Sequence, residues 1–122
     1  MRAAWWPFCL LCAATGCADA PGVMQGLPAG ASIERGREAI RRHGCVACHA
    51  IPGIAGPASN VGPPLAQVAR RAYIGGVVPN VPADMIRWLR DPPGVDPRTA
   101  MPDMGISEPE AADIAAYLYT LD

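Results

Sequence analysis

Residues Cys45-Val46-Ala47-Cys48-His49 constrain this chain more than any other stretch. C-x-x-C-H is the attachment signature of c-type haem, and its chemistry explains its spacing. Two thiols add across the two vinyl groups of a porphyrin, and two intervening residues let a single turn of chain reach both. The histidine that follows is then held beneath the ring with a nitrogen toward the iron, where histidine is a usual proximal ligand. Competing readings need partners that the sequence lacks. A thioredoxin-like pair requires a βαβ context. A tetrahedral zinc site needs two further ligands, yet His43 and His49 are the only histidines and the other cysteines fall in or beside an apolar leader.

A chain of 122 residues with fourteen Pro and thirteen Gly makes one small, loop-rich domain with a modest core. A buried porphyrin would supply the missing apolar centre. All ten cations are Arg, set against eleven acidic residues. No basic run or basic aromatic stripe is present, so the electrostatic footprint of a nucleic-acid binder is lacking. The five cysteines divide into Cys9 and Cys12 in the leader, Cys17 after it, and the motif pair Cys45 and Cys48. None is left for a disulfide framework.

Residues 1–16 read as a signal peptide: Arg2, then an apolar stretch from Ala3 to Ala14 that is too short to span a bilayer. Ala14-Thr15-Gly16-Cys17 resembles a bacterial lipobox, cut before Cys17 with lipid added to that thiol. Ordinary cleavage near Gly16 or Ala18 is the alternative. Lipidation is preferred because Cys17 otherwise has no role in an exported chain. The expected location is exported and periplasmic, held to a membrane through Cys17. Residues 17–31, small and rich in Pro and Gly, read as a flexible linker, and residues 32–122 as the domain.

Within the domain, Ser32 is placed to cap a first helix running to about His43, with Ile33, Gly36, Ile40 and Gly44 along one slim face. Gly inside a helix costs about 1 kcal/mol relative to Ala, which makes sense if another helix crosses at Gly36. His43 lies on the same side of the attachment loop as His49, so it suits a surface or hydrogen-bonding role rather than the opposite face of an iron. A metal-bound histidine normally donates its second N–H to a fixed acceptor, and we assign this to the Pro63 carbonyl; a plain turn is the alternative. Leu65 to Ala72 reads as a short helix with Leu65, Val68 and Ala69 inward. Arg71, beside Tyr73, can pair with a haem propionate. Asn80 is placed to cap a helix over Val81–Arg90, which Asp91-Pro92-Pro93 ends. On it, Trp88 serves as core or donates its indole N–H to a propionate.

A thioether is a soft donor suited to an iron that keeps its ligands during electron transfer. Met101 and Met104 are the candidates, and Pro102 stiffens the loop beside Met101; Met104 can instead fill core. Ser107-Glu108-Pro109-Glu110 is a capping box that opens a last helix. Ala111, Ile114, Ala115, Leu118 and Leu121 form its apolar stripe. Tyr117 and Tyr119 flank this stripe, and an aromatic here could occupy the room that Gly36 leaves.

In combination, Gly36 and Ile40 before Cys45-x-x-Cys48-His49, then Gly62-Pro63-x-Leu65, Met101-Pro102 and Ile114-Ala115-Ala116-Tyr117-Leu118, resemble the class I c-type cytochromes over residues 32–122. The resemblance implies an all-α fold of three to five short helices around one covalently attached haem c, with the first and last helices crossing nearly at right angles. It implies axial ligation by His49 and by Met101, which precedes a Pro and stands four before Gly105. It also implies that Gly36 and Tyr117 form the helix-crossing pair. Arg71-Ala72-Tyr73-Ile74-Gly75-Gly76 and Trp88-Leu89-Arg90-Asp91-Pro92 are similar to cytochrome c domains attached to oxidase subunits. The implied function is electron transfer without substrate conversion. Implied partners are a quinol-oxidising complex, a terminal oxidase or a periplasmic dehydrogenase. Alternatives are a dedicated subunit of one oxidase or dehydrogenase complex, or a haem sensor or peroxidase, which would need an open sixth site. The absence of Lys argues against a partner that docks on a ring of lysines.

Overall fold

The computed structural model describes residues 24–57 and 59–122, so the leader and Cys17 lie outside the described residues. At the centre is α4 (Glu108–Leu118). Glu110 closes the capping box at its start, its carboxylate accepting from the Ser107 backbone N–H at 3.1 Å and from the Ser107 hydroxyl at 2.7 Å. Every residue from Ala111 to Tyr119 is buried, as expected of a helix that is apolar nearly all round. Ser32 caps α1 (Ile33–Arg42), its hydroxyl accepting from the Arg35 N–H at 3.3 Å.

α1 meets α4 backbone to backbone. A Cβ built at Gly36 would stand 1.9 Å from the Asp113 carbonyl oxygen and 3.1 Å from the Ile114 nitrogen. The nearest neighbours in the room left by the glycine are thus main-chain atoms of α4. The Tyr117 hydroxyl donates to the Pro52 carbonyl at 2.7 Å. The buried face of α1 is Gly36, Ala39 and Ile40, while Ile33 points outward at 42% exposure. Gly44 lies past the helix end, where its φ of 70° reverses the chain into the cysteine motif.

Polar contacts fix both ends of this crossing. The buried carboxylate of Asp113 on α4 accepts from the Ser32 N–H at 2.7 Å and from two nitrogens of Arg35 at 2.8 Å each. The Arg35 pairing holds the Asp113 carboxyl below its usual range against the opposing effect of burial. A buried charge without such partners would be strongly destabilising. At the other end of α1, Arg42 at 2.6 Å and His43 at 3.3 Å converge on Glu110, the hydrogen-bonding role that its sequence position suggested.

The middle of the chain departs from the local reading. Leu65–Ala72 is not a helix: Gln67 adopts a left-handed φ of 57°, and only a 3-10 turn at Val68–Arg70 survives. Val68 is buried, whereas Leu65 and Ala69 are half-buried. Next comes a two-residue hairpin, β1 (Tyr73–Ile74) antiparallel to β2 (Val78–Pro79), with Ile74 opposite Val78 and Gly75 and Gly76 at positive φ in the turn. Strands this short carry no readable alternation. α2 (Pro82–Arg90) starts after Val81, and Asn80 does not cap it. The Asn80 amide is tied up in tertiary contacts, donating to the carbonyls of Val68 at 2.8 Å and Arg71 at 2.9 Å and accepting from the Tyr119 hydroxyl at 3.1 Å. Asp91 ends α2 and caps α3 (Pro92–Val95), accepting from the Gly94 N–H at 2.9 Å. Met85, Trp88 and Leu89 bury one side of α2.

The part of the expected linker that is described, residues 24–31, lies over the domain as two turns. Met24 and Leu27 pack against the core, and the Gly30 carbonyl accepts from Arg35 at 2.5 Å. Two apolar side chains three residues apart suffice to dock a segment otherwise made of small residues.

Gly36→Ala separates propensity from packing. Helix propensity alone would favour Ala by about 1 kcal/mol, but the added methyl meets backbone that cannot rotate away. Overpacking costs roughly 1–3 kcal/mol, so the denaturation midpoint in urea should fall, not rise. Glu110 governs an acid limb. Its carboxyl is held down to about 2, first by the Ser107 hydroxyl and then by Arg42. A carboxylate depressed on folding contributes stability above its ordinary value of 4.5 and loses that contribution as pH falls toward 2. Urea midpoints measured from pH 5 to pH 2 should decline, and Glu110→Gln should flatten part of that decline.

Candidate functional site

Gly44 delivers the chain into a 3-10 turn at Cys45–Ala47, closed by hydrogen bonds from the N–H groups of Cys48 (3.2 Å) and His49 (3.0 Å) to the Cys45 carbonyl. This curl sets Cys45, Cys48 and His49 on the wall of one cavity of about 530 Å³. Known ligand pockets run from roughly 300 to 1,000 Å³. Ile40 of α1, Ile114 and Leu118 of α4, and Met85, Trp88 and Leu89 of α2 give the wall its apolar character. The loop segment Thr99-Ala100-Met101-Pro102 lines the same cavity.

His49 is held by a small main-chain frame. Its Nδ1 lies 2.7 Å from the Pro63 carbonyl oxygen. A neutral imidazole that donates there keeps an unprotonated Nε2 as a ligating lone pair. The loop carrying Pro63 is fastened on both sides of the histidine, by the Gly62 N–H to the Cys48 carbonyl at 2.8 Å and the Leu65 N–H to the Ala50 carbonyl at 2.9 Å. A Cβ at Gly62 would stand 2.4 Å from His49 Cε1 and 2.7 Å from its Nδ1. Sequence reasoning gave Gly62 no role; its place just before two prolines was the available signal.

Arg71, Tyr73, Trp88 and Met101 also reach this cavity, in different conditions, and Met104 does not line it. Arg71 lines it, but its Nη2 donates to the carbonyls of Pro64 and, at 3.3 Å, Ala66. Tyr73 lines it while 60% exposed, as does Val61 at 73%, so these two stand where the cavity meets solvent. The Trp88 ring packs beneath the hairpin turn, where a Cβ on Gly75 would come within 2.6 Å of it. Met101 is half-buried, its N–H donating to the Thr99 hydroxyl at 3.1 Å. Met104 is 38% exposed and so is not core filler.

Two further lining residues went unnoticed in the sequence. Asp96 accepts from the backbone N–H of Arg98 at 3.0 Å and from its Nε at 3.3 Å. That backbone N–H leads the contacts holding the Asp96 carboxyl below its usual range. Burial pushes the Cys45 thiol above its ordinary range.

The donor set fits an iron porphyrin. Two thiols are placed for thioether bonds, an imidazole nitrogen and a thioether share the cavity, apolar side chains suit the macrocycle, and Arg71 and Arg98 bring positive charge for carboxylates. Comparison with known proteins agrees. A family model described as Cytochrome c matches residues 33–122. The chain is also 30% identical over 88 residues to the cytochrome c oxidase subunit 2 of Alkalihalophilus pseudofirmus, a match covering 71% of this chain and 25% of that protein. The chain thus spans about a quarter of the length of this curated relative.

Gly62→Ala tests the frame around His49. The added methyl must displace the imidazole or the loop, at roughly 1–3 kcal/mol. The thermal midpoint should drop by at least about 4 °C, read by circular dichroism on the matured protein.

Proposed function

The chain belongs to the cytochrome c family, whose members carry covalently attached haem c and act as electron carriers, and we propose that this one is a monohaem carrier with His49 and Met101 as axial ligands. The observation that carries this reading is one shared wall: Cys45, Cys48, His49 and the distant Met101 line a single apolar cavity. The thiols of Cys45 and Cys48 would hold the group through thioether bonds. When bound, haem c supplies a one-electron couple between ferric and ferrous iron.

The chain's own residues account for the rest. Pro63 fixes the His49 ring and its tautomer. Met101 would ligate the iron together with His49 and leave no open position for a substrate, which is why we read a carrier and not a sensor or peroxidase. Ile40, Leu89, Ile114 and Leu118 exclude water, which favours the less charged ferrous state and raises the reduction potential. Val61 and Tyr73 mark the open side through which electrons would pass.

Similarity to an oxidase subunit supports a terminal oxidase as partner, in which case the protein serves as a dedicated subunit or donor to that complex. Quinol-oxidising complexes and periplasmic dehydrogenases remain the other partners of the right chemistry. A chain with a net charge of −1 has little long-range steering to offer. Export and lipidation at Cys17 would compensate, since tethering raises effective concentration.

Material matured in a cell competent for cytochrome assembly should keep its pigment through acidified acetone. The ferric protein should show a weak sulfur–iron band at the red end of the visible spectrum. Met101→Ala should abolish that band and Met104→Ala should leave it; the reverse result would sink the ligand assignment.

A further inference from the structure

Resting on the lipidation of Cys17 suggested above, we propose that the β1–β2 hairpin and the start of α2 form a face that seats the domain on an uncharged lipid surface in one fixed orientation. An antiparallel pair with one side on the core alternates apolar inward and polar outward. The inward row here is as expected, with Ile74 buried and Val78 half-buried. The outward row is apolar as well. Tyr73 stands opposite Pro79, and both are exposed. Val77 and Val81, two residues to either side of Pro79, are 40% and 45% exposed. Exposed strands are normally protected by charged side chains, yet the chain carries no charge from Ala72 to Ala83.

The tether points to what covers this row. Met24 and Leu27 pack against the core, and a Cβ on Gly26 would stand 3.4 Å from the Pro82 ring. The segment 24–31 therefore runs beside the start of α2, and residues 24–33 are uncharged too. Cys17 stands seven residues before Met24, at most about 25 Å of extended chain. A lipid there keeps a bilayer within reach of the row. Binding at an interface grows with the apolar area buried, and tethering raises the effective concentration so that a small patch suffices. A face without cations offers nothing to acidic lipids, so the headgroups that it fits have no net charge. Tyrosine suits such a boundary, with its ring in apolar surroundings and its hydroxyl in water. Tyr73 also borders the cavity. Seating on this face thus brings the open side of the cavity to membrane level, toward redox partners held in the same bilayer.

The test uses the full, matured holoprotein in stacked phosphatidylcholine bilayers on quartz, with the haem as its own probe. Polarised absorption reads the inclination of the haem plane to the membrane, and a mass measurement reads lipid on Cys17. The wild-type haem should be dichroic. Val77→Asp combined with Val81→Asp should lose the dichroism while keeping lipid and pigment. Both positions are exposed, and Asp at the second supplies the side-chain cap that α2 lacks. Arg41→Glu makes the same change in net charge on the exposed surface of α1, at the end away from segment 24–31, and should leave the dichroism intact. Should the double Asp variant fail to retain pigment, Val77→Ser combined with Val81→Ser takes its place, with the same loss expected. A lipidated wild-type protein with randomly oriented haem overturns the inference. So does dichroism that survives the hairpin substitutions, or that Arg41→Glu abolishes. Order that appears only when a terminal oxidase shares the bilayer would make the face a protein contact and overturns it equally. A mature protein with no lipid on Cys17 would overturn the lipidation reading, and the seating with it.

Discussion

At Gly36 the main chains of α1 and α4 touch with no side chain between them, and the placing of the cysteine motif follows from that contact. The closeness is permitted by one missing Cβ and secured electrostatically at both ends, by Asp113 with Arg35 and by Glu110 with Arg42 and His43. Since α4 is buried along nearly its whole length, it serves as a fixed bar. α1 is registered against it, and Gly44 then turns the chain once to present Cys45, Cys48 and His49. A slip of α1 along α4 would carry the whole motif with it.

The facing side of the cavity is organised differently. α2 contributes a conventional apolar face, but the hairpin and the loop after the motif depend on polar side chains reaching main-chain carbonyls. Asn80 and Arg71 each gather two carbonyls that no helix or sheet would satisfy. In a small chain with fourteen prolines, such gathering replaces the regular structure that proline forbids. The fold stays mostly helical, with its irregular backbone concentrated around the site.

How much of this could be read in the sequence depended on the range of the interaction. The Ser32 cap and the Ser107 and Glu110 box are encoded within a few residues and stand where they were expected. The all-α class came with the resemblance to the class I c-type cytochromes, and the fold is mostly helical. The motif pair, His49, Pro63, Arg71, Tyr73, Trp88 and Met101 were all singled out, and all line one cavity. Distant partners defeated the rest. Asn80 looked like a cap because nothing nearby reveals Tyr119, and Leu65–Ala72 looked helical because the left-handed Gln67 leaves no trace in composition. The docked Met24 and Leu27 were lost in a stretch that composition marks as linker.

Three of the contacts that frame His49 come from peptide groups: the Pro63 carbonyl, the Gly62 N–H on Cys48 and the Leu65 N–H on Ala50. Peptide groups are common to nearly all residue types, so drift at Ala50 or Leu65 cannot delete them. The burden of heredity falls instead on Gly62, where any side chain intrudes, and on the stiffness supplied by the adjoining prolines. A histidine seat built this way can persist while the surrounding letters change, with a single hydrogen atom in place of a side chain as its fixed point.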